Sequence, residues 1–564
     1  MRVKQKKRGI SVHAISGTHV VMLGLDASLI ARRELLGFAI ERTDHTEDER
    51  YWLKGYKTFK ETLPDPVPGS LHSTLEHPVQ SFLWSDYTAK PDHDYTYRIR
   101  PLHGRPKFLT TGRDVVVRVQ TEPVDQGEHA IYFNRGAITS QAYARRFGNL
   151  PPSGTSDPDA ARAWLSRGLL EGAIDFIAQA KGSRFSLRGA LYEFTYEPII
   201  EALKEASSRG SDVKIVYEAG KEKKGGKLVL TSTSKGNAKA IKKAGVPGEM
   251  LIKRTKRKAI PHNKFIVLLD RGRPIQVWTG STNITPSGFL GQSNVGHLVR
   301  HKDLSKRFLA YWEQLAQDPE WNDLRDWVEA HTPRPGVLAL NSITPLFSPR
   351  RSSKMLDWYA DQIEAAEQTV VFTAAFGVNN KLAQRFAMDK DFLRYIVTEK
   401  KPSPKNMAML SRDRDTKVAF GTALGRDARR NKIPGWKLDE WYMNESHFRT
   451  RGHVFYVHTK YLGVDLLTAD PLVFSGSANF SVNSLLRNDE NMLLIRGNTR
   501  VADVYMTEFD RLFRHFYFRN VANRLALAGN SDDSKAVYLD PTDGWVSDHF
   551  RKGTFRSRRR VMFR

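Results

Sequence analysis

The feature that most constrains how this chain folds is an internal repeat of polar residues at one fixed offset. Five pairs of identical residues lie 196 positions apart: His262 and His458, Lys264 and Lys460, Gly280 and Gly476, Ser281 and Ser477, and Asn283 and Asn479. Repeated supersecondary units keep their chemistry at one offset. The helical stretches FLAYWEQL and VYMTEFDRL, which follow the two motifs, also fall nearly in register. The sequence therefore predicts two structurally equivalent halves.

The sequence of each half alternates between helical and strand patterns. The first contains the helical pattern ARAWLSRGLLEGAIDFIAQA, the strand SRFSLRGALYEF, the helical EPIIEALKEASSRG and the strand DVKIVYEA. The second opens with the helical KMLDWYADQIEAAEQ and the strand TVVFTAAF. This alternation predicts an α/β fold with largely parallel pairing. We expect the first half over residues 155–330 and the second over residues 345–530.

The segment before the repeats has a different pattern, with short β-rich runs and no long helical period. Its clearest runs are VQSFLW, YTYRIRPL, DVVVRVQT and HAIYFN. They predict an N-terminal β-sandwich-like domain over residues 1–150, which would position substrate or recruit a partner protein. The Pro- and Gly-rich segment GNLPPSGTSDPDA is expected to be a linker. Residues 531–564 are predicted to form a basic C-terminal extension.

The charge balance indicates a polyanionic partner. Lys and Arg together number 88 against 62 Asp and Glu, a formal net charge of +26. Nucleic acid is the partner that this positive charge favours most, and anionic lipid is the second. The alternative is that the charged residues only form a solvated surface and bind no partner. A basic run precedes the first motif, and we expect its members to contact substrate: Lys253, Arg254, Lys256, Arg257 and Lys258. Further basic runs lie at 221–227 and in the 551–564 tail.

Composition also excludes several kinds of site. The chain has no cysteine, so disulfides, thiolate metal sites and a cysteine nucleophile are excluded. No pattern typical of a metal or nucleotide site is present, so neither a metal nor a cofactor is expected. The apolar stretch after the basic start is interrupted by His19 and Asp26. We therefore expect no signal peptide or transmembrane segment, and a cytoplasmic location is the default expectation.

Each motif supplies the groups that phosphodiester chemistry needs. In a strand, positions i and i+2 share a face, so the His and the Lys of each motif project together. A second strand that ends in Gly-Ser-x-Asn brings a hydroxyl and an amide to the same end. Lysine and amide donors stabilise the non-bridging oxygens, one imidazole attacks phosphorus and another protonates the leaving oxygen. Two copies supply both imidazoles, which gives the duplication a mechanistic reason.

The doubled motif resembles that of the phospholipase D superfamily, in which His-x-Lys is followed after four residues by Asp and then by Gly-Ser-x-Asn. The second copy matches this pattern with His458, Lys460 and Asp465, and Glu490 follows in NDEN. The resemblance covers roughly residues 155–525. It implies a covalent phosphohistidine on His262, with His458 as the general acid. The predicted catalytic residues are His262, Lys264, Asn283, His458, Lys460, Asn479, Asp465 and Glu490, supported by Ser281 and Ser477.

The first copy departs from the pattern at its carboxylates. Leu269 stands at the position of Asp465, with Asp270 one residue later, and Asn294 stands at the position of Glu490. A one-residue shift along a strand reverses the side-chain direction, so we interpret Asp270 as a turn residue. We expect Asp465 and Glu490 to reach across a pseudo-twofold axis to His262. His458 is expected to lack its reciprocal partner because of Leu269.

Three functions are consistent with these residues. The favoured one is a metal-independent nuclease, for example an endonuclease, that cleaves DNA or RNA. The first alternative is a phospholipase D-type hydrolase of membrane phospholipids. The second alternative is a catalytically impaired protein that binds nucleic acid, although both histidines and both lysines are retained. The sequence leaves DNA against RNA, strandedness and oligomeric state open.

Overall fold

A computed structural model describes residues 1–67, 70–136, 141–148, 150–421, 456–527 and 538–564. It confirms the mixed α/β fold, with a β-rich N-terminal region before two repeated α/β units. None of the described helices combines the length and the apolar character needed to cross a membrane.

The N-terminal region consists of two antiparallel sheets packed face to face. The first contains Arg2–Lys7, Ile10–Ser16, Val21–Ala27 and Leu83–Asp86, and the second Leu35–Asp44, Glu49–Trp52, Asp94–Arg105, Phe108–Thr111 and Val115–Gln120; a short pair, Lys54–Gly55 with His72–Ser73, lies beside them. Buried and exposed residues alternate strictly along Val115–Gln120, as expected for a strand with one face on a core. Side chains of both sheets, including Val12, Leu23, Tyr97 and Val117, share one core. The region is therefore a sandwich.

The first half is built on an eight-stranded sheet. Its strands, in spatial order, are Asp125–Gln126, His129–Phe133, Val295–Val299, Arg273–Gly280, Lys264–Asp270, Phe185–Leu191, Asp212–Glu218 and Leu251–Arg254. Its helices are Pro158–Ser166, Leu169–Ala178, Glu197–Ser208, Ser232–Ala244, Lys302–Ala316 and Trp321–His331, and Gln141–Phe147 precedes them. A separate hairpin joins Lys221–Lys224 to Lys227–Leu230, and short helical turns span Pro152–Gly154, Gly248–Met250 and Ser287–Gly291.

The second half repeats this plan with seven strands. Their order is Ile343–Ser348, Glu490–Arg496, Leu472–Gly476, Tyr461–Val464, Thr369–Ala374, Leu393–Thr398 and Thr416–Phe420. Its helices are Lys354–Ala365, Asn380–Phe386, Pro404–Leu410, Val482–Leu486 and Thr499–Leu527. The chain closes with Gly544–Phe550 and Phe555–Phe563. From the second strand of the first sheet onward, every strand has a counterpart in the same order.

The expectation of largely parallel pairing is wrong for the strands that carry the motifs. In the first sheet, Asp212–Glu218 lies parallel to both of its neighbours. The motif strands Lys264–Asp270 and Arg273–Gly280 pair antiparallel instead. The turn between them, Arg271–Gly272, has positive φ at both residues, which closes a tight hairpin and forces the antiparallel arrangement.

Two chain segments lie elsewhere than the sequence suggested. The strand His129–Phe133, which falls inside the predicted N-terminal domain, pairs with Val295–Val299 in the first half's sheet. The basic C-terminal segment packs onto the N-terminal sandwich. Its Trp545 donates a hydrogen bond to the carbonyl of Leu35, 2.8 Å away, and Arg560 is buried against Asp26. These residues of the tail therefore have a structural role.

Candidate active site

The two His-x-Lys segments meet where the halves join. A parallel bridge pairs Pro261 with Asp489, and a second pairs Val457 with Ser293. The two bridges join equivalent positions of the repeat, because Val457 corresponds to Pro261 and Asp489 to Ser293. Each half therefore extends a segment next to its histidine onto the other half. This arrangement places the two motifs face to face across a pseudo-twofold axis.

His262 of the first half is held by a carboxylate of the second. Its Nδ1 lies 2.8 Å from Oε2 of Glu490. The hydroxyl of Ser477 donates to the same oxygen at 2.6 Å, and Asn488 donates to the other oxygen at 3.0 Å. All four side chains are buried. Because a carboxylate can only accept, Nδ1 of His262 carries a proton and Nε2 keeps its lone pair in the neutral ring.

His458 has the equivalent contact, but with an amide. Its Nδ1 lies 2.9 Å from Oδ1 of Asn294, and the hydroxyl of Ser281 donates to that oxygen at 2.8 Å. The amide nitrogen of Asn294 donates to the carbonyl of Gly288, which fixes the amide orientation. The idea that His458 lost its partner to Leu269 is thus corrected. The partner position is that of Asn294, and the carboxylate there is replaced by a neutral acceptor.

Asp465 lies away from this cluster. It follows the strand that starts beside Lys460, five residues further on, which at strand spacing is roughly 16 Å. Its carboxylate accepts hydrogen bonds from the backbone N–H groups of residues 367–369, at 2.7 to 3.2 Å. Its own φ is +51°. Asp465 therefore ends a strand and holds a turn, and the expectation that it reaches His262 is corrected.

In the first half the strands of the motif hairpin are longer and its turn is correspondingly shorter. The strand Lys264–Asp270 runs two residues beyond the point that corresponds to the end of Tyr461–Val464. Leu269 is consequently a buried strand residue. Asp270 lies at the far end, paired with the exposed Arg184 at 2.5 Å, and so is a turn-flanking residue as interpreted from the sequence. The replacement of this aspartate by Leu269 therefore lies outside the histidine cluster.

The two lysines lie deep in the cluster. Lys264 and Lys460 are 3% and 0% exposed, and each Nζ donates to the carbonyl of its own motif's histidine at 2.8 Å. Burial lowers the pKa of Lys264 to about 8 and that of Lys460 well below its usual range. An ammonium has three donors. Each lysine can therefore offer further donors to a bound anion.

The two motif asparagines, Asn283 and Asn479, are buried. In the described part of the chain, neither side-chain oxygen of the buried Asn283 and Asn479 has a hydrogen-bond partner. The amide nitrogen of Asn283 donates to Glu193, a residue that sequence reasoning missed. No sequence signal marked Glu193: it lies two residues beyond Leu191, and the pairing of that strand with the motif strand at Lys264 is visible only in the structure. Tyr192 packs its ring edge to face with that of His262, centroids 5.2 Å apart.

Both imidazoles are biased toward the neutral form. Burial lowers the pKa of His262 to about 4, although Glu490 opposes the shift. Burial, together with the charges of Lys460 and Lys264, lowers the pKa of His458 well below its usual range. Burial alone would raise the pKa of Glu490, but the neighbouring His262 and Lys264 lower it. Glu490 is therefore the ionised partner in the free site.

The basic run before His262 divides into structural and exposed members. Arg254 is fully buried and pairs with Asp489 and Asp318, both at 2.9 Å. Arg257 pairs with the buried Glu218. The expectation that these two arginines bind substrate is corrected, because their guanidinium groups hold the fold together. The side chains of Lys253, Lys256 and Lys258 are exposed, and Lys256 lies 3.5 Å from Glu320.

The donor set offers imidazole, ammonium, amide and hydroxyl groups. Across the residues that the structure describes, no group of three or more His, Asp and Glu side chains is arranged to hold a metal ion. Independence from metal stays a prediction that chelation tests.

In a comparison with known protein families, both motifs fall within the match to a single family. The sequence matches the family described as "Cardiolipin synthase, PLD-like domain" over residues 174–316 and 409–513. No curated protein matches the chain.

Three solved structures are similar to the chain. One is a polyphosphate kinase from Porphyromonas gingivalis, 10% identical with a TM-score of 0.36, aligned over 58% of this chain and 43% of that one. The second is a phosphatidylserine synthase from Haemophilus influenzae Rd KW20, 13% identical with a TM-score of 0.39, over 66% and 94%. The third is Nuc, a phospholipase D family member from Salmonella typhimurium, 25% identical with a TM-score of 0.22, over 34% and 94%. This chain thus spans less than half of the polyphosphate kinase.

Proposed function

We propose that this chain, whose two repeated halves belong to the phospholipase D superfamily, is a metal-independent phosphodiesterase that cleaves DNA or RNA through a covalent phosphohistidine. The observation that carries the proposal is the pair of contacts between the halves, Glu490 on His262 and Asn294 on His458. Each histidine depends on a residue from the other half, so neither half has a complete set alone.

His262 is the better nucleophile of the two. Glu490 accepts the Nδ1 proton, which leaves the Nε2 lone pair free to attack phosphorus. The N–P bond forms as the bond from phosphorus to the leaving oxygen breaks, and the ring becomes a cation. Glu490 stabilises that cation as the aspartate of a catalytic triad stabilises its imidazolium. A water molecule then hydrolyses the N–P bond and frees His262.

His458 suits the role of general acid. Asn294 orients its ring but supplies no negative charge, so the imidazolium form is held less strongly than that of His262. A weakly held proton passes more readily to the leaving oxygen. The anionic phosphodiester must first raise the pKa of His458, since the free ring is biased toward neutrality. In the second step the neutral ring takes a proton from the attacking water.

Lys264, Lys460, Asn283 and Asn479 are the groups that would hold the non-bridging oxygens. Before substrate arrives, the two ammonium groups are held by the histidine carbonyls and the amide of Asn283 by Glu193. Fixed donors in a buried site stabilise charge that develops in the transition state without the cost of reorganisation. This supports a mechanism in which lysines do the work that metal ions do in many other phosphodiesterases.

Nucleic acid is the proposed substrate because exposed lysines lie at the site's edge of the sheet. The strand Asp212–Glu218 runs parallel to Phe185–Leu191, whose end abuts Lys264. The hairpin that follows it is fully exposed along Lys221–Lys224 and begins its return strand with the exposed Lys227. Successive lysines on a protruding hairpin can neutralise successive phosphates of a backbone.

A phospholipid is the second candidate substrate. The same hairpin exposes Leu228, at 65%, and an exposed apolar side chain among lysines also suits an anionic membrane surface. The name of the matched family includes cardiolipin synthase, which favours the same substrate.

One experiment separates the two substrates. Purified protein in EDTA is incubated with labelled DNA, labelled RNA and vesicles of phosphatidylcholine with phosphatidylglycerol, and His262→Ala serves as the inactive control. We expect the unaltered protein to cleave nucleic acid and to leave the lipid intact. Lipid hydrolysis with intact nucleic acid would transfer the proposal to the phospholipid.

A further inference from the structure

The second half carries aromatic residues along the edge of its sheet that lies next to the active site. Three parallel strands of this sheet are Thr369–Ala374, Leu393–Thr398 and Thr416–Phe420. Tyr461, the residue after Lys460, pairs near the end of the first of them. Because parallel strands in register end at the same edge of a sheet, all three end on the side of the sheet where Lys460 lies.

Phe376 takes the position in the second half that Glu193 has in the first. Thr373 and Ala190 are equivalent, since each pairs with the residue that follows a motif lysine. Phe376 and Glu193 each lie three residues further on, and in both halves the next helix begins seven residues after the equivalent pair. Glu193 contacts the motif asparagine of its half. By this equivalence, Phe376 lies at the edge of the site on the side of Asn479.

The ring of Phe376 is accessible and has a positive charge beside it. Phe376 is 46% exposed, and Nζ of Lys400 lies 5.6 Å from the centroid of its ring. At the end of the neighbouring strands, Nζ of Lys401 lies 5.9 Å from the ring centroid of Phe420. Both lysines are exposed. Phe376, Lys400, Lys401 and Phe420 together form what we call the aromatic ledge.

The repeated fold does not require aromatic residues at these two positions. In the first half, Glu193 stands at the position of Phe376, and Lys253 stands at that of Phe420. The strands around these positions pair in the same way in both halves. The aromatic ledge is therefore a feature of the second half alone, and the architecture that the halves share does not explain it.

An exposed aromatic ring beside ammonium groups suits the bases of a single-stranded nucleic acid. Every base has a flat π face that stacks on an aromatic side chain, while nearby cations attract the phosphates of the strand. In a duplex each base is stacked between its neighbours and must leave the helix before it reaches a protein side chain. The phosphate site is also buried, with His262 5% and Lys460 0% exposed, and a flexible strand enters such a site more readily than a rigid duplex.

We infer that the substrate is a single strand of nucleic acid, and that a base adjacent to the scissile phosphate stacks on Phe376 with Lys400 beside it. Phe420 and Lys401 offer the same pair of groups two strand spacings away, roughly 10 Å, to a further base. The inference deepens the proposed function and rests on it, because it specifies the form of the substrate at the same phosphodiester site.

An anionic membrane is the other partner that an aromatic residue among lysines can bind. A side chain that enters a membrane must protrude, whereas more than half of the surface of Phe376 is covered. A base needs only one open face of the ring. These observations favour the base, and vesicle binding is measured alongside to test the membrane.

The test compares two strands that differ only in their bases. One is a labelled single-stranded oligonucleotide, DNA or RNA according to which the protein cleaves faster, and the other is an abasic strand with the same number of phosphates. The same oligonucleotide in a duplex is the third substrate. Values of kcat and KM are measured in EDTA for the unaltered protein and for its variants. Binding to vesicles that contain phosphatidylglycerol is measured in parallel.

Three variants are compared with the unaltered protein. Phe376→Ala removes the ring, and Phe376→Tyr restores one. Phe108→Ala is the matched control, because Phe108 is 64% exposed and its ring centroid lies 4.8 Å from the guanidinium carbon of Arg105, in the N-terminal sandwich.

For the unaltered protein, we expect kcat/KM to be at least about tenfold higher for the single strand than for the abasic strand or the duplex, the effect of one stacked base. Phe376→Ala should lose the preference over the abasic strand, mainly through a higher KM for the oligonucleotide. Phe376→Tyr and Phe108→Ala should both keep the preference.

The inference is overturned if Phe376→Ala keeps the preference, or if it slows both strands equally, since the ring would then have only a structural role. A duplex that is cleaved as fast as the single strand would overturn it as well. So would weaker vesicle binding by Phe376→Ala with unchanged cleavage of the oligonucleotide, which would assign the aromatic ledge to a membrane. If the unaltered protein cleaves neither DNA nor RNA, the proposed function itself fails, and the inference fails with it.

Discussion

The contact between His262 and Glu490 gives the sharpest prediction, which is the effect of Glu490→Gln on the covalent step. Glutamine keeps the size of the side chain and an acceptor for Nδ1, so the ring stays aimed. What disappears is the negative charge beside the ring that becomes cationic. Two unit charges about 4 Å apart interact by about 4 kcal/mol at an effective dielectric constant near 20. The rate of phosphohistidine formation should therefore fall by about 10³-fold.

The assay is rapid mixing with an excess of enzyme over labelled substrate, quenched without acid and followed by peptide mass spectrometry. The unaltered protein should carry the phosphoryl adduct on the peptide that contains His262. Glu490→Gln should form the same adduct far more slowly, with an unchanged melting temperature as the check on folding. If the rate stays within about threefold of that of the unaltered protein, the change is too small for a lost charge interaction of this size. An adduct on His458 would reverse the assignment of roles.

Glu490→Gln should also shift the pH dependence of kcat/KM, and the structure determines the direction of the shift. Protonation of Nε2 removes the nucleophile, so kcat/KM should fall as the pH drops through the pKa of His262, which is about 4. Glu490 raises that pKa against the effect of burial. Removing the charge of Glu490 should therefore move the fall of kcat/KM at acid pH (the acid limb) to lower pH, in addition to lowering the rate. A limb that moves to higher pH would show that Glu490 is not the group that stabilises the imidazolium.

Four further predictions follow from the same geometry. Activity should survive EDTA, and loss of activity that a divalent ion restores would contradict the lysine-based mechanism. His262→Ala and His458→Ala should each remove nearly all turnover, because members of one catalytic unit are strongly non-additive, whereas half-activity in either would indicate two sites. Asp489→Asn should lower stability by about 3 kcal/mol in denaturant titration while sparing kcat, since it breaks a buried pair with Arg254; a kcat effect would place Asp489 in the chemistry. Replacing Lys221, Lys223, Lys224 and Lys227 by Ala should weaken DNA binding and flatten its salt dependence by about three to four counterions, and the exposed Lys4 and Lys6 should have no such effect.

The constant offset was enough to predict the two α/β halves. It works because duplicated units keep their strand order, and the two sheets do match strand for strand. The offset also identified the position of Asn294 as that of Glu490. The contact of Glu490 with His262 was expected from the resemblance and an assumed pseudo-twofold axis, not from the offset, and the structure shows it. His262 and Glu490 are 228 residues apart in sequence, and their contact depends on how the halves dock.

Other residues were misjudged because a sequence does not display burial. Arg254 looked like one member of a basic surface run, but at the end of its strand Lys253 is exposed and Arg254 is buried. Asp465 matched a family motif and was given a place near His262. Its position just beyond a strand end sets it against backbone N–H groups instead. Glu193 escaped notice because no motif marks it, and only the pairing of the preceding strand with the motif strand brings it to Asn283.

One difference between the halves lies at the site itself. Two identical halves would give both histidines the same partner, and only the orientation of the substrate would then distinguish the nucleophile from the acid. Here the partner of His262 is charged and that of His458 is neutral. A duplication within one chain lets each position diverge separately. The symmetric framework therefore supplies two imidazoles, and in the mechanism we propose their different partners give them different roles.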